Sequence, residues 1–388
     1  MIKVTVAIPY CQEEKSVLFS SLQSALNQTL DSIEILIIDD CLSFKAQKLC
    51  QKYLKEFKKI NKSNKKINCI KYVSHLSNRG CLATRVTAAQ IAQGEYITFL
   101  DCDDWFYSDD SLQIMYDQGK GYDLLQTGAE IYHADQKLLQ KILPRMNYAV
   151  APSILDISQE RENLFDIFYS QEQNVSGFVW GKLYRTEALR NTVEQMPVLR
   201  CTLWEDFFIT YYVATNFKTY KSIQNKCYFY NLCNGVSGNK TISSIDEWYK
   251  KISISEVFTA ILYDIKSKDF VTEQFKEFLK KQFFSKTGEL ALILETSVDK
   301  SIYPQALDMF YEYFGEENAK AALKAVEPKV ERVIPGTIQP VIPDLIRNLF
   351  TREILKPVQD DSGWCHPGLD PTCHSGLDPE SPASSFRA

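Results

Sequence analysis

Apolar positions in the first hundred residues follow two regimes. Residues 2–8 (IKVTVAI), 33–40 (IEILIIDD), 67–73 (INCIKYV) and 97–100 (ITFL) are short and almost continuously apolar. That pattern predicts strands covered on both faces. Between them the apolar residues recur every three to four positions, as at Val17, Leu18, Leu22, Ala25 and Leu26, and at Leu49, Cys50, Tyr53, Leu54 and Phe57. This spacing predicts helices over 17–30 and 44–59, with a third over 82–93 after the loop SNRGC (77–81). Pro9 reads as the stop of the first strand, and Gly94 as the C-cap of the third helix. The alternation predicts an α/β fold with a doubly wound, mostly parallel sheet flanked by helices.

Beyond residue 110 the rhythm loosens. A strand is expected over 122–133, a helix over 156–170, a strand or turn entering a helix over 178–189, and a helix over 204–214. After Asn234-Gly235 helical patterns dominate, exemplified by Phe275, Phe278, Leu279 and Phe283. The reading divides the chain into a domain over 1–240, a helical appendage over 241–330 and a tail over 331–388. Prolines interrupt the tail, although 343–355 suits a short amphipathic helix. CHPGLDPT (365–372) is followed directly by CHSGLDPE (373–380). Such low-complexity repeats predict disorder. Cys365, His366, Cys373 and His374 are the competing zinc reading, but adjacent Cys-His pairs bind one metal awkwardly.

Composition narrows the function. The 388 residues are 45% apolar and 24% charged with a net charge of −5, so nucleic acid is not an expected partner. The lysine-rich run Lys55 to Lys71 reads as a solvated helix end and loop, with attraction to anionic lipid headgroups as the competing reading. No apolar run is long enough to span a bilayer, and the chain enters a strand at once, so neither a membrane helix nor a signal peptide is expected. Eleven cysteines without a CxxC pair read as reduced thiols, which points to the cytoplasm.

The chemistry concentrates at ITFLDCDDW (97–105), where a buried strand runs into Asp101, Asp103 and Asp104. Clustered carboxylates there are costly unless a cation neutralises them. A divalent metal that also carries phosphate oxygens would do so. A helix-capping acidic turn is the alternative. In α/β sheets ligands bind beyond the carboxyl ends of strands, where Pro9, Asp39-Asp40 and Asp101 to Asp104 all fall.

VTVAIPYCQEE (4–14), SLQSALNQTLDSIEILIIDD (21–40), NRGCLATR (78–85), GEYITFLDCDDW (94–105), VWGKLYRTEAL (179–189) and WEDFF (204–208) follow one another at family-like spacing. Over about 1–215 the chain resembles family 2 glycosyltransferases of the GT-A fold; its C-terminal third carries no such motif. The resemblance implies an inverting, metal-dependent transferase that moves a hexosyl or N-acetylhexosaminyl group from a nucleotide-sugar, expected to be a UDP-sugar. The implied acceptor is a glycan or lipid-linked molecule of cell-surface polysaccharide synthesis, with peripheral contact to the inner membrane face.

The same resemblance assigns residues. Asp40 accepts from the base N3–H, which favours uracil because N3 of cytosine has no hydrogen. Asp101 faces the ribose, Asp103 ligates Mn²⁺ or Mg²⁺, and Arg79 and Arg85 lie near the diphosphate or base. Pro9, Glu13 and Cys102 complete the donor site. Asp206, of the pair Glu205-Asp206, is the implied base, while Asp104 is expected to cap the next helix and Trp180 and Trp204 to pack in the core. Cys11 and Gln12 after Pro9-Tyr10, Cys41-Leu42-Ser43 after the second strand, and Cys102 between the acids depart from the family pattern and concern base stacking. The competing functions are a non-catalytic sugar-nucleotide binder and a nucleotidyltransferase, the latter lacking its Gly-rich phosphate loop.

Overall fold

A computed structural model describes residues 1–330 apart from 12, 42, 170–174, 202 and 233–240. The expectations for 331–388 and for Asn234-Gly235 lie outside the described residues. Strands β1 (Val4–Tyr10), β2 (Ile33–Asp39), β3 (Ile70–Ser74) and β4 (Tyr96–Phe99) alternate with helices α1 (Lys15–Leu26), α2 (Phe44–Ile60) and α3 (Cys81–Ile91). A two-residue β5 (Trp105–Phe106), α4 (Ser111–Gly119) and β6 (Leu124–Tyr132) follow. Short helices α5 (Gln136–Ile142) and α6 (Asn147–Val150), strand β7 (Leu155–Ile157) and α7 (Phe165–Phe168) lead to β8 (Lys182–Arg185), α8 (Thr186–Glu194), α9 (Glu205–Asn216) and β9 (Tyr220–Asn231). The rest is helical: α10 (Ile245–Ile252), α11 (Ile254–Asp264), α12 (Glu273–Ser297), α13 (Tyr303–Phe314) and α14 (Glu316–Val330).

One sheet joins these strands in the order β3-β2-β1-β4-β8-β6-β9-β5, with β7 on β9. The first half is parallel, as the unbroken apolar runs predict. The second half is mixed: β8 lies antiparallel to β4 and β6, and β5 and β7 antiparallel to β9. Leu18 and Leu22 of α1, Leu54 and Phe57 of α2, and Leu112 and Met115 of α4 fill one face. The other face takes Leu82 and Ala89 of α3, Leu189 of α8 and Phe208 of α9. Buried residues of α11–α14 extend that second core, and Phe275 of α12 stacks on Tyr211 of α9 at 5.9 Å. Among the described residues no helix is long and apolar enough to cross a membrane.

Three local expectations need correcting. The segment 156–170 is not one helix: Leu155 and Ile157 are half-buried with Asp156 exposed between them, an alternation of period two that pairs with β9. Only Phe165–Phe168 makes a helical turn. Pro9 does not stop β1, which continues to Tyr10. Its pairing with β4 has already ended at Ala7–Phe99, so on that side no partner needs the missing N–H. Gly94 is not the C-cap of α3, a place taken by Ala92.

Gly94 is required by close packing. A Cβ there would lie 2.5 Å from Thr5 N and 2.7 Å from Tyr96 O, both backbone atoms. Its N–H donates to Thr5 Oγ1 at 2.9 Å, which donates in turn to Glu34 Oε2 at 2.7 Å, so the entry to β4 is pinned to β1 and β2. Gly94→Ala is expected to destabilise the fold by about 1–3 kcal/mol through overpacking. A thermal or urea midpoint unchanged from the wild type would contradict this.

Candidate active site

The acids after β4 separate into different roles. Asp104 is fully buried and accepts from Tyr228 Oη at 2.7 Å and from the Asn231 amide at 2.8 Å. Tyr228 Oη also takes the Asp101 N–H at 3.2 Å. Asp104 therefore bolts the acidic loop to β9 and does not cap a helix; α4 begins only at Ser111, after Asp110. Burial, then the nearby Asp101, raise its carboxyl well above the usual range. Asp103 stays half-buried, and burial with repulsion from Asp101 pushes its pKa up to about 6. Cys102 is buried between them and its thiol meets the Glu13 carboxylate. Glu13 accepts from the Cys11 amide at 2.6 Å and is itself raised by burial.

Arg85, one turn into α3 and 3% exposed, ties the acidic loop to α9. Its Nη2 donates to Asp101 Oδ1 at 2.9 Å and its Nη1 to Glu205 Oε1 at 2.8 Å. Nη1 also lies 3.0 Å from Asp206 Oδ1. Burial alone would weaken the Arg85 charge, but Cys81, Asp206, Asp101 and Glu205 overcome it and hold the guanidinium cationic. Three carboxylates facing one cation leave negative charge in excess. The excess falls on Asp206, whose carboxyl is raised to about 7 by burial, against the pull of Arg85 and with the push of Glu205. Asp206 keeps 24% of its side chain exposed while Oδ1 is covered. The helix start that carries it is strained: Trp204 holds φ 67°, the one positive-φ residue besides glycine among the described residues. Phe208 and Ile209 then bury α9, as its sequence leads one to expect.

At the end of β2, Asp40 is buried and already holds three donors. Its oxygens accept from His75 Nδ1 at 2.7 Å, from the Arg79 amide at 2.8 and 3.1 Å, and from the Gly80 amide at 2.8 Å. A carboxylate offers about four lone-pair sites, so these three donors leave room for at most one more, such as a base N–H. What Asp40 does here is fix the loop that presents Arg79, whose side chain is exposed and, among the described residues, in no ion pair. Arg85, by contrast, is spent on carboxylates and does not stand open beside Arg79. Pro9 and half-buried Glu13 lie at the same end of the sheet, in and just after β1.

Several residues of this region escape sequence reasoning. Trp180 is buried as expected, but within a ring stack: Phe178 at 4.6 Å, Tyr230 at 4.9 Å and Tyr228 at 5.0 Å. Phe178 and Tyr230 remain partly exposed. Trp204 is half-buried and packs on Phe207 and Phe258. Lys182 is buried in β8, where its Nζ donates to the Ser176 carbonyl. Burial lowers its pKa to about 7, with Asp206 pulling it back up. The signal available for Lys182 is its place in VWGKLYR, two residues from Tyr184 and so on the same strand face.

Among the described residues no group of three or more His, Cys, Asp or Glu could by itself hold a metal. The donors do suit a hard divalent cation that brings further oxygens with its ligand: Asp103 is an oxygen donor, and burial together with repulsion from Asp101 makes its uncompensated charge costly.

Comparisons with known proteins show what the chain is similar to. The glycosyl transferase family 2 model matches residues 5–191. EpsH of Bacillus subtilis is 30% identical over 164 residues, so the match spans 42% of that protein, less than half its length. The cholesterol galactosyltransferase of Borreliella burgdorferi is 25% identical over 308 residues, 78% of this chain and 79% of that one. In fold the chain is similar to S. aureus TarS 1–349, solved in complex with UDP-GlcNAc, with a TM-score of 0.50 at 18% identity, covering 90% of this chain and 89% of that one. Residues 5–191, then, match glycosyl transferase family 2, and the chain has the GT-A fold.

Proposed function

We propose that the chain transfers a sugar, with inversion, from a nucleotide-sugar to a hydroxyl of a glycan or lipid-linked acceptor in surface-polysaccharide synthesis. The observation that carries this reading is the Arg85 cluster, which holds the acidic loop after β4 and the Glu205-Asp206 pair on one guanidinium. A single displacement needs these two groups together, one beside the leaving diphosphate and the other beside the attacking hydroxyl. The name of one relative, a galactosyltransferase acting on cholesterol, supports a lipid acceptor, and the UDP-GlcNAc complex of TarS supports a UDP-sugar donor.

In this reading the donor lies beyond the carboxyl ends of β1, β2 and β4, with Pro9, Glu13 and Cys102 along its length. Arg79 meets its negative charge from the loop that Asp40 holds. Asp101 keeps the ribose side while anchored through Arg85, and Asp103 holds Mn²⁺ or Mg²⁺. A cation bound there would supply neutralisation of the diphosphate's negative charge. The acceptor oxygen forms its bond to the anomeric carbon as the bond to the diphosphate oxygen breaks, and Asp206 takes the hydroxyl proton. Phe178 and Tyr230 offer their exposed ring faces to the acceptor beside these acids. Burial, helped by Glu205 and opposed by Arg85, gives Asp206 a pKa of about 7, where a general base is most effective.

Two outcomes follow. Asp206 must be ionised to accept a proton, so kcat/KM should rise as pH increases through about 7 and level off above it. Asp206→Asn should lower transfer by roughly 10²–10⁴ and abolish that rise, with UDP affinity nearly unchanged. Transfer by Asp206→Asn at the wild-type rate would refute the assignment, and a crippled Glu205→Gln in its place would move the base by one residue. Second, Arg85→Met should destabilise the protein by about 3–5 kcal/mol at neutral pH, because three carboxylates lose their cation. The loss should shrink as pH falls and the acids protonate. A pH-independent loss, measured by urea unfolding, would show that packing and not charge holds the cluster.

A further inference from the structure

Helix α2 buries Cys50, Leu54 and Phe57 against the sheet. Its opposite face is a lysine stripe. Lys45, Lys48, Lys52, Lys55 and Lys59 recur at intervals of three and four, and Lys62 continues the series just past the helix end. This spacing returns each side chain to the same side of a helix. From Lys45 to Lys59 the stripe extends roughly 20 Å. All six lysines are exposed, and among the described residues none makes an ion pair. The one acid of the helix, Glu56, is taken by Lys15 at 2.7 Å. Lying in a chain of net charge −5, this unneutralised row is a concentrated field against the molecule's own balance.

Exposed apolar residues flank the row. Phe44 is 70% exposed at the start of the helix, Ile60 is 64% exposed at its end, and Leu49 is exposed between them. Lys48 sits 4.5 Å over the Phe44 ring, so the cationic and apolar groups form one continuous surface.

We infer that this face of α2 docks the protein on an anionic lipid surface. A bilayer interface accepts both parts at once: lysines meet headgroup phosphates, and the flanking apolar side chains enter the headgroup–acyl boundary. A nucleic acid in water gives the exposed Phe44, Leu49 and Ile60 nothing to enter. The helix carries no arginine, whose planar fork is the usual means of gripping phosphate and base edges, and it is convex where a strand would need a groove. The start of the helix adjoins the candidate donor end of the sheet: Gln47 Nε2 donates to the His75 carbonyl at 2.8 Å, and His75 holds Asp40. A protein seated on this face carries that end of the sheet near the lipid. The inference rests on the surface alone and stands or falls independently of the proposed transfer reaction.

Co-sedimentation of the full chain with vesicles tests it. Binding is expected to phosphatidylcholine vesicles containing phosphatidylglycerol and not to phosphatidylcholine alone, and it should fall steeply with added salt. Reversing Lys48, Lys52 and Lys55 to Glu should weaken binding by on the order of 100-fold or more. These residues are exposed, so the variant should keep the wild-type thermal midpoint. Reversing exposed Lys280, Lys281 and Lys324, the same change of net charge elsewhere, should weaken it far less. Equal binding to neutral vesicles, or equal loss in the two triple variants, would overturn the proposal. So would binding of a single-stranded RNA oligomer at physiological salt more tightly than vesicles, abolished by the Lys48, Lys52 and Lys55 reversal.

Discussion

One buried guanidinium sets the terms for the whole site. Arg85 draws Asp101, Glu205 and Asp206 to within 3.0 Å of its terminal nitrogens, although these acids lie on segments that approach only in the folded chain. Removing two or three carboxylates from water is expensive, and an arginine repays that cost only when its fork is fully engaged. The cluster thus works as a clamp. It fixes the start of α9 against the loop after β4, and with three acids on one cation it leaves negative charge uncompensated, which together with burial raises the pKa of Asp206. Arg85 sets the position of the candidate base, while burial, against the pull of that cation, raises its pKa.

The neighbouring elements serve that clamp. The bonds from Tyr228 and Asn231 to Asp104 fix the far end of the acidic loop, so Asp101 and Asp103 stand on a short, doubly anchored turn. Asp40 does the same for the Arg79 loop through His75 and two backbone amides. In both places a buried acid serves the fold by satisfying histidine, tyrosine and backbone donors.

The parts legible in sequence are those governed by local pattern. Continuous apolar runs gave the parallel strands, because strands buried on two faces have no polar side to betray them. The pair Glu205-Asp206 was legible as a helix start. The parts that were not legible depend on distant partners: Asp104 meets Asn231 at a separation of 127 residues, and Lys182 is buried by the sheet it crosses. Residues 156–170 read as a helix because Leu155 and Ile157 fit either period over so short a window, and only pairing with β9 decides between them. Gly94 reads as a cap because its position suits one, whereas the close approach of Thr5 and Tyr96 is invisible without the fold.

The proposed mechanism puts the metal and diphosphate at Asp103, on the loop that Asp101 ties to Arg85, and the proton acceptor at Asp206, on the other side of that guanidinium. The most direct test of that division is calorimetric titration of UDP into the full chain with and without Mn²⁺, repeated on Asp103→Asn. The account predicts that Mn²⁺ strengthens UDP binding to the wild type and does nothing for Asp103→Asn, whose thermal midpoint without metal stays that of the wild type. Equal UDP affinity with and without Mn²⁺ in the wild type, or an undiminished Mn²⁺ effect in Asp103→Asn, would contradict it.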